Sequence, residues 1–285
     1  MAAWSKVIES RQEMPAAYRN SFDRQFAVER EFPHAIFTPS LDKFPRKTTE
    51  KLICDTEDVI YIFERNGSQV NETCYSYQNV YMVELGNVLL DSWLTISGKT
   101  KRGHTHASKI EFNTTSLRYF TDIINRLRPS SRTIDNSRFA LEKDKFNQLA
   151  EVNFKFMNYG RESLVPGETV LQILLQPEIR QPLFTIFGRT FYKTLSPAHL
   201  SIFTDRELIF IQDPERIKES KIARYGGVWQ YLPLHGIEAV TISETAEGRL
   251  VLAIQCRQGA RIEKLFEADH RAELEQFCAR FQTLR

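Results

Sequence analysis

Residues 199–213, HLSIFTDRELIFIQD, decide how the rest of the chain is read. Two apolar runs, 199–203 and 207–212, flank the polar triplet Thr204-Asp205-Arg206. Each run is short and rich in Ile, Leu and Phe, as a buried strand requires, and short polar side chains suit a tight turn between them. The spacing predicts a β-hairpin. Strand-like runs precede it at 170–175, 184–187 and 191–192 and follow it at 229–232, 236–243, 249–257 and 261–266. Asp269 then caps a predicted helix that sets Leu274, Phe277, Cys278, Phe281 and Leu284 on one face.

A reduced copy of this order lies earlier. Residues 51–54, 59–63 (VIYIF), 70–77, 80–85, 89–97 and 109–113 predict strands, with Asn66-Gly67 as a hairpin turn and residues 99–108 as a polar loop. Residues 115–128 then place Leu117, Phe120, Ile124 and Leu127 at helical spacing, stopped by Pro129. The two predicted helices share an offset: Leu117 and Leu274, Phe120 and Phe277, Ile124 and Phe281, and Leu127 and Leu284 each differ by 157 positions. Val80, Val83 and Leu85 stand at the same offset from Ile237, Val240 and Ile242. A strand and a helix holding one offset predict an internal duplication.

The division expected is an N-terminal arm at residues 1–32, a first domain at 33–129, a helical connector at 130–162 and a second domain at 163–285. In the arm, Phe22 and Phe26 stand at helical spacing, which fits either a short helix laid on a neighbouring domain or a partly ordered segment. The connector opens on Pro129-Ser130-Ser131 and turns helical, with Phe146, Leu149, Asn153 and Phe156 on one face and Gly160 as its stop.

Several antiparallel strands followed by one amphipathic helix resemble the pleckstrin-homology superfold. Within it, SPAHLSIFTDRELIFI at 196–211 is similar to the bacterial pleckstrin-homology-like family, whose early hairpin carries a Thr-(Asp/Asn)-x-x-(Leu/Ile)-(Ile/Leu) turn, here Thr204 to Ile209. The resemblance implies an α+β, mainly β fold of two bent β-sandwich or barrel domains in tandem, each closed by its C-terminal amphipathic helix. It implies little about ligand, because one fold hosts many functions. Phosphoinositide-binding members carry a basic Lys-x-Arg cluster on the first hairpin. The corresponding turns here, residues 54–58 and 204–206, are acidic or mixed.

Composition narrows the function. Thirty-eight basic residues nearly balance 36 acidic ones, for a net charge of +2, which is unlike a dedicated nucleic-acid binder. The 42% hydrophobic content is that of a globular protein, and no window reaches the roughly 18 to 20 apolar residues of a membrane helix. Residues 1–20 do not read as a signal peptide. Cys54, Cys74, Cys256 and Cys278 are scattered and read as free thiols in a reducing cytoplasm.

No G-x-S-x-G, H-E-x-x-H, P-loop or G-x-G-x-x-G motif is present, and His199 and His235 lie within strand-like runs. The sequence therefore points to no enzyme, catalytic residue or cofactor. Two candidate surfaces stand out. Lys99, Lys101, Arg102, His104 and His106 in GKTKRGHTHASK form the concentrated basic stretch, suited to anionic ligands such as lipid headgroups. The pair His104 and His106 lacks a third ligand at motif spacing, so no metal site is predicted. Tyr225, Trp229 and Tyr231, beside Gly226-Gly227, are the candidate aromatic anchors for a protein partner. The expectation is a cytoplasmic, non-enzymatic interaction module that binds a protein, with anionic lipid as the alternative ligand.

Overall fold

Residues 51–66 show why these strands form. Leu52, Cys54 and Phe63 alternate with Ile53, Ile60 and Ile62, and all are buried, so the hairpin carries apolar side chains on both faces. Such a pattern requires cover on both sides of the sheet. The computed structural model supplies it. The structure describes residues 4–26, 31–43, 46–56, 58–129, 136–214, 226–257 and 259–284, and the chain divides into two compact units, Met1–Arg128 and Pro129–Arg285.

In the first unit, Lys6–Ile8, His34–Thr38, Lys51–Asp55, Val59–Asn66, Gln69–Val88, Asp91–Thr100 and Thr105–Asn113 pair in that order, all antiparallel. Gln69–Val88 is a single long strand where the sequence predicts two. Its first half pairs with Val59–Asn66 and its second with Asp91–Thr100, with irregular register between Tyr75 and Met82. Gly98 sits at that irregularity. A Cβ there would stand 2.7 Å from the Asn79 carbonyl oxygen, so the missing side chain lets the strands bend past each other.

Helix Ala16–Gln25 covers one face of this sheet. Tyr18, Phe22 and Phe26 join Ile8, Met14, Leu52, Cys54 and Phe63 in one cluster. Helix Leu117–Leu127 buries Phe120, Ile123, Ile124 and Leu127, and the Phe112 and Phe120 rings stack 4.2 Å apart. Full burial of each such aromatic contributes roughly 1.5–3 kcal/mol.

In the second unit, Val170–Gln176, His199–Thr204, Glu207–Gln212 and Gly227–Pro233 pair in order, and Ile237–Glu244, Leu250–Cys256 and Arg261–Phe266 form a separate antiparallel sheet. The hairpin read first in the sequence is the buried centre. All of His199–Thr204 and Glu207–Ile211 are inaccessible, because helix Phe154–Ser163 meets Leu200 through Gly160 while helix Arg271–Leu284 sets Phe277 4.9 Å from Phe203. Gly160 lies within that first helix instead of stopping it. A Cβ there would overlap the Phe146 ring, so glycine is needed for packing. Leu284 leaves the buried stripe and is exposed.

The mainly β, α+β architecture stands, but the expected closed sandwiches are corrected. Among the described residues no sheet closes on itself. Lys6–Ile8 and Thr105–Asn113 end the first unit's sheet without pairing to each other, and Val170–Gln176 and Arg261–Phe266 are likewise terminal strands. Side chains occupy the edge where a closing strand would have to bond. Arg280 Nη1 donates to the Leu171 carbonyl at 2.9 Å, and Gln172 Nε2 donates to the Glu273 carbonyl at 2.8 Å. The last helix therefore packs on an open sheet and does not plug a barrel.

Candidate functional site

The basic stretch of the sequence forms a tight turn. Asp91–Thr100 continues through Gly98, and Thr105–Asn113 starts earlier than predicted, so the loop shrinks to Lys101-Arg102-Gly103-His104. Gly103 takes φ +86°, a left-handed conformation that glycine adopts without strain, and its N–H donates to the Thr100 carbonyl at 2.8 Å. The Lys101 N–H donates to the Cys74 carbonyl at 3.0 Å and ties the turn to the bend of the long strand.

That tie creates a cleft. Lys101, Arg102, His104 and His106 line a cavity of about 260 Å³ together with Tyr61, Cys74, Thr73 and Thr100, and one carboxylate, Glu72, shares the lining. Lys99 is exposed on the same hairpin, outside the lining. Lys101 Nζ donates to Tyr61 Oη at 3.3 Å and lies 5.3 Å from the centre of that ring. This hydrogen bond raises the ammonium above the ordinary lysine range and positions a group that is charged at neutral pH in any case. Burial, opposed by Lys101, raises the Cys74 thiol, which stays protonated at neutral pH. The cleft thus presents two permanent cations, Lys101 and Arg102, beside one carboxylate, Glu72, with threonines and an unreactive thiol between them. Among the described residues no group of three His, Cys, Asp or Glu is placed to hold a metal ion.

The aromatic candidates are placed differently. Tyr225 lies outside the described residues. Tyr231 is 4% exposed and belongs to the core. The Trp229 ring packs 4.8 Å from Tyr159, over Gly227, whose missing Cβ leaves room for both rings. The described members therefore do not line an open groove. Their aromatic content reports packing, which residue type alone does not separate from recognition.

The histidines of the strand-like runs diverge. His199 is buried with Nδ1 3.3 Å from the Pro197 carbonyl, and burial beside the Lys264 charge lowers its pKa to about 3. It is a neutral core residue. His235 is exposed and lines a smaller cavity of about 160 Å³ with Leu234, Arg257, Phe281 and Leu284.

One surface escaped the sequence reading. Between Val170–Gln176 and His199–Thr204 the chain runs out and back as a two-stranded arm, Ile179–Ile186 with Arg189–Ser196. Beyond its buried base at Ile179 and Ser196 its side chains, Phe184, Phe187 and Phe191 among them, are exposed. The sequence predicts strands at 184–187 and 191–192 but not their exposure. The available signal was the absence of Asp and Glu from residues 179–196, against three cations. No described helix is long and apolar enough to cross a membrane. No protein-family model matches this chain and no curated protein matches it, so both surfaces are read from their own residues.

Proposed function

We propose that this chain is a non-enzymatic interaction module that docks on anionic membrane surfaces through the cleft of its first unit. The observation that carries the reading is the convergence of Lys101, Arg102, His104 and His106 on one cavity, where they outnumber the single carboxylate, Glu72, and where Tyr61 positions the Lys101 ammonium. Headgroup phosphates and carboxylates fit such a cavity, because cations and hydroxyls replace their hydration. Each basic residue near an anionic surface contributes about 1 kcal/mol. Protein binding through Trp229 and Tyr231 is the weaker reading, since Tyr231 is buried.

Vesicle co-sedimentation tests the proposal. The full chain should sediment with phosphatidylcholine vesicles containing phosphatidylserine and stay in solution with phosphatidylcholine alone. The variant Lys99→Gln, Lys101→Gln, Arg102→Gln should bind about a hundredfold more weakly, the sum of three such contributions. Equal binding of both vesicle types by the wild type would sink the reading.

A further inference from the structure

The arm of the second unit has three properties that do not arise from folding. Its tip is apolar and open to solvent: Leu183, Phe184, Ile186, Phe191 and Tyr192 are each 48–57% exposed, and Phe187 is 101% exposed. Contiguous exposed apolar surface of this kind marks an interaction site. The turn at its end is Phe187-Gly188, with φ +49° at Phe187 and +72° at Gly188. A turn with two positive φ values favours Asn-Gly or Gly-Gly, and a bulky residue at the first position is strained. Phenylalanine serves that turn poorly, so its ring has to be accounted for by what it reaches.

Charge is the third property. Residues 179–196 contain Arg180, Arg189 and Lys193 and no acidic residue. Arg180 pairs with Glu178 at the base, whereas Arg189 and Lys193 have no ion-pair partner among the described residues. The base is anchored, with Ile179 buried and Thr194 Oγ1 donating to Glu178 Oε1 at 2.6 Å. The arm is therefore a held projection whose apolar tip carries one cation beside the turn, Arg189 opposite Ile186, and a second behind the Phe184–Phe191 pair, Lys193.

We infer that this arm enters the bilayer interface, with the Phe184–Phe191 tip at the boundary between headgroups and acyl chains, with Lys193 behind it against anionic headgroups and with the long Arg189 side chain extending from beside the turn to the same headgroups. The inference rests on the membrane reading above and adds a second contact, in the other unit, of apolar character. The distribution of side chains selects this occupant. Phe184 pairs with Phe191, ring centres 4.9 Å apart, on one face beside Ile186. Pro182 and Tyr192 pair on the opposite face, which nearer the turn carries Thr185 and Thr190, their hydroxyls 3.0 Å apart and bonded to each other. A protein groove would read one face, whereas a lipid layer surrounds both. Self-association through the Phe184–Phe191 face would bring together two cations from each copy, Arg189 and Lys193, with no acidic residue on the arm to offset them. Insertion stops at the tip, because deeper entry would strip water from the outward backbone groups of a two-stranded arm.

The test uses the full chain and the same phosphatidylserine vesicles. Phe187→Trp supplies a probe at the tip. Its fluorescence, after subtraction of the wild-type signal from Trp4, Trp93 and Trp229, should shift to the blue on binding and be quenched by brominated acyl chains. Phe184→Ser with Phe187→Ser should lower the thermal unfolding midpoint by no more than about 4 °C, because Phe187 is fully exposed and Phe184 loses only its contact with Phe191. It should also weaken binding at high salt by roughly tenfold or more, because the apolar contribution survives screening. If the wild type binds but the probe is unquenched and the Ser variant binds equally well, the arm inference falls and the cleft reading stands. If the wild type binds no anionic vesicle, both fall. Loss of a dimer, or of a co-purifying protein, in the Ser variant with vesicle binding unchanged would overturn insertion in favour of that partner.

Discussion

Asp205 and Thr169 hold each other through two opposed hydrogen bonds. The Thr169 N–H donates to Asp205 Oδ1 at 2.8 Å, and the Asp205 N–H donates to the Thr169 carbonyl at 3.0 Å. Next to this clamp, Thr204 Oγ1 accepts from the N–H groups of Arg206 and Glu207 at 3.2 and 3.0 Å. Its own hydrogen is shared between Glu168 Oε1 at 3.2 Å and the Glu207 carbonyl at 3.1 Å. The turn that organises the second unit is thus fastened by two adjacent side chains.

Removing the clamp should cost stability in a graded way. Asp205→Ala deletes one charge-assisted bond and should lower unfolding stability by about 1–2 kcal/mol, while Asp205→Asn keeps the acceptor and should stay within about 0.5 kcal/mol of wild type. Thr204→Val buries the same volume but leaves two N–H groups unpaired, and should cost about 2–3 kcal/mol. Urea unfolding of the three variants at fixed pH reads the order directly.

Asp55 makes the first unit sensitive to pH. Burial raises its pKa from 3.8 to about 6, against the ion pair with Arg126 at 3.1 Å, with Asp122 adding to the rise. Because the folded value lies above the unfolded one, the folded state holds the proton more tightly. Its contribution is full below pH 3.8 and is lost as pH rises through about 6. Asp55→Asn should therefore be more stable than wild type at pH 8, by up to about 2 kcal/mol, and gain nothing at pH 4. Thermal midpoints at the two pH values check the sign.

His199 acts in the opposite direction in the second unit. Burial comes first, then the neighbouring Lys264 charge, in lowering its pKa from 6.5 to about 3, so the neutral ring is favoured in the fold. Its contribution is complete above pH 6.5 and is lost as pH falls towards about 3, by up to about 4 kcal/mol. His199→Leu should flatten the acid limb of the stability profile. An unchanged slope between pH 6 and 4 would assign acid sensitivity to other groups.

Gly160→Ala separates helix propensity from packing. Alanine is better than glycine inside a helix by about 1 kcal/mol, but its Cβ would overlap the buried Phe146 ring and stand 3.1 Å from Leu200 Cδ2. Overpacking should dominate, with a net loss of about 1–2 kcal/mol. A gain in urea midpoint would show that Phe146 moves aside at little cost.

What the sequence disclosed was local. Alternation and turn chemistry around Thr204 and Asn66 gave the hairpins, because side-chain period and tight-turn preference act within a few residues. Gly160 was misleading for a related reason, since its cause is a ring 14 residues away in the chain. Closure of the sheets was not legible either, because Arg280 reaches across 109 positions to occupy the edge of Val170–Gln176. At the cleft, the cations are visible as a run, but Tyr61, which positions the Lys101 ammonium, lies 40 positions away. The arm's aromatics have the pattern of ordinary strand residues, and only the fold shows that they are exposed.

The long strand Gln69–Val88 serves two ladders with one backbone, whereas the second unit interrupts the equivalent path with the short turn Leu234–Gly236. In the first unit, freeing Val59–Asn66 from its partner loosens the same chain that holds Asp91–Thr100, so the two hairpins share one opening event. Their amide hydrogens should then exchange with solvent at a common free energy. In the second unit no described strand is common to the two sheets, and side chains couple them instead: Lys264 Nζ donates to Gln212 Oε1 at 2.7 Å and to Gln230 Oε1 at 2.9 Å, so loss of that one ammonium should let the two sheets exchange at separate free energies.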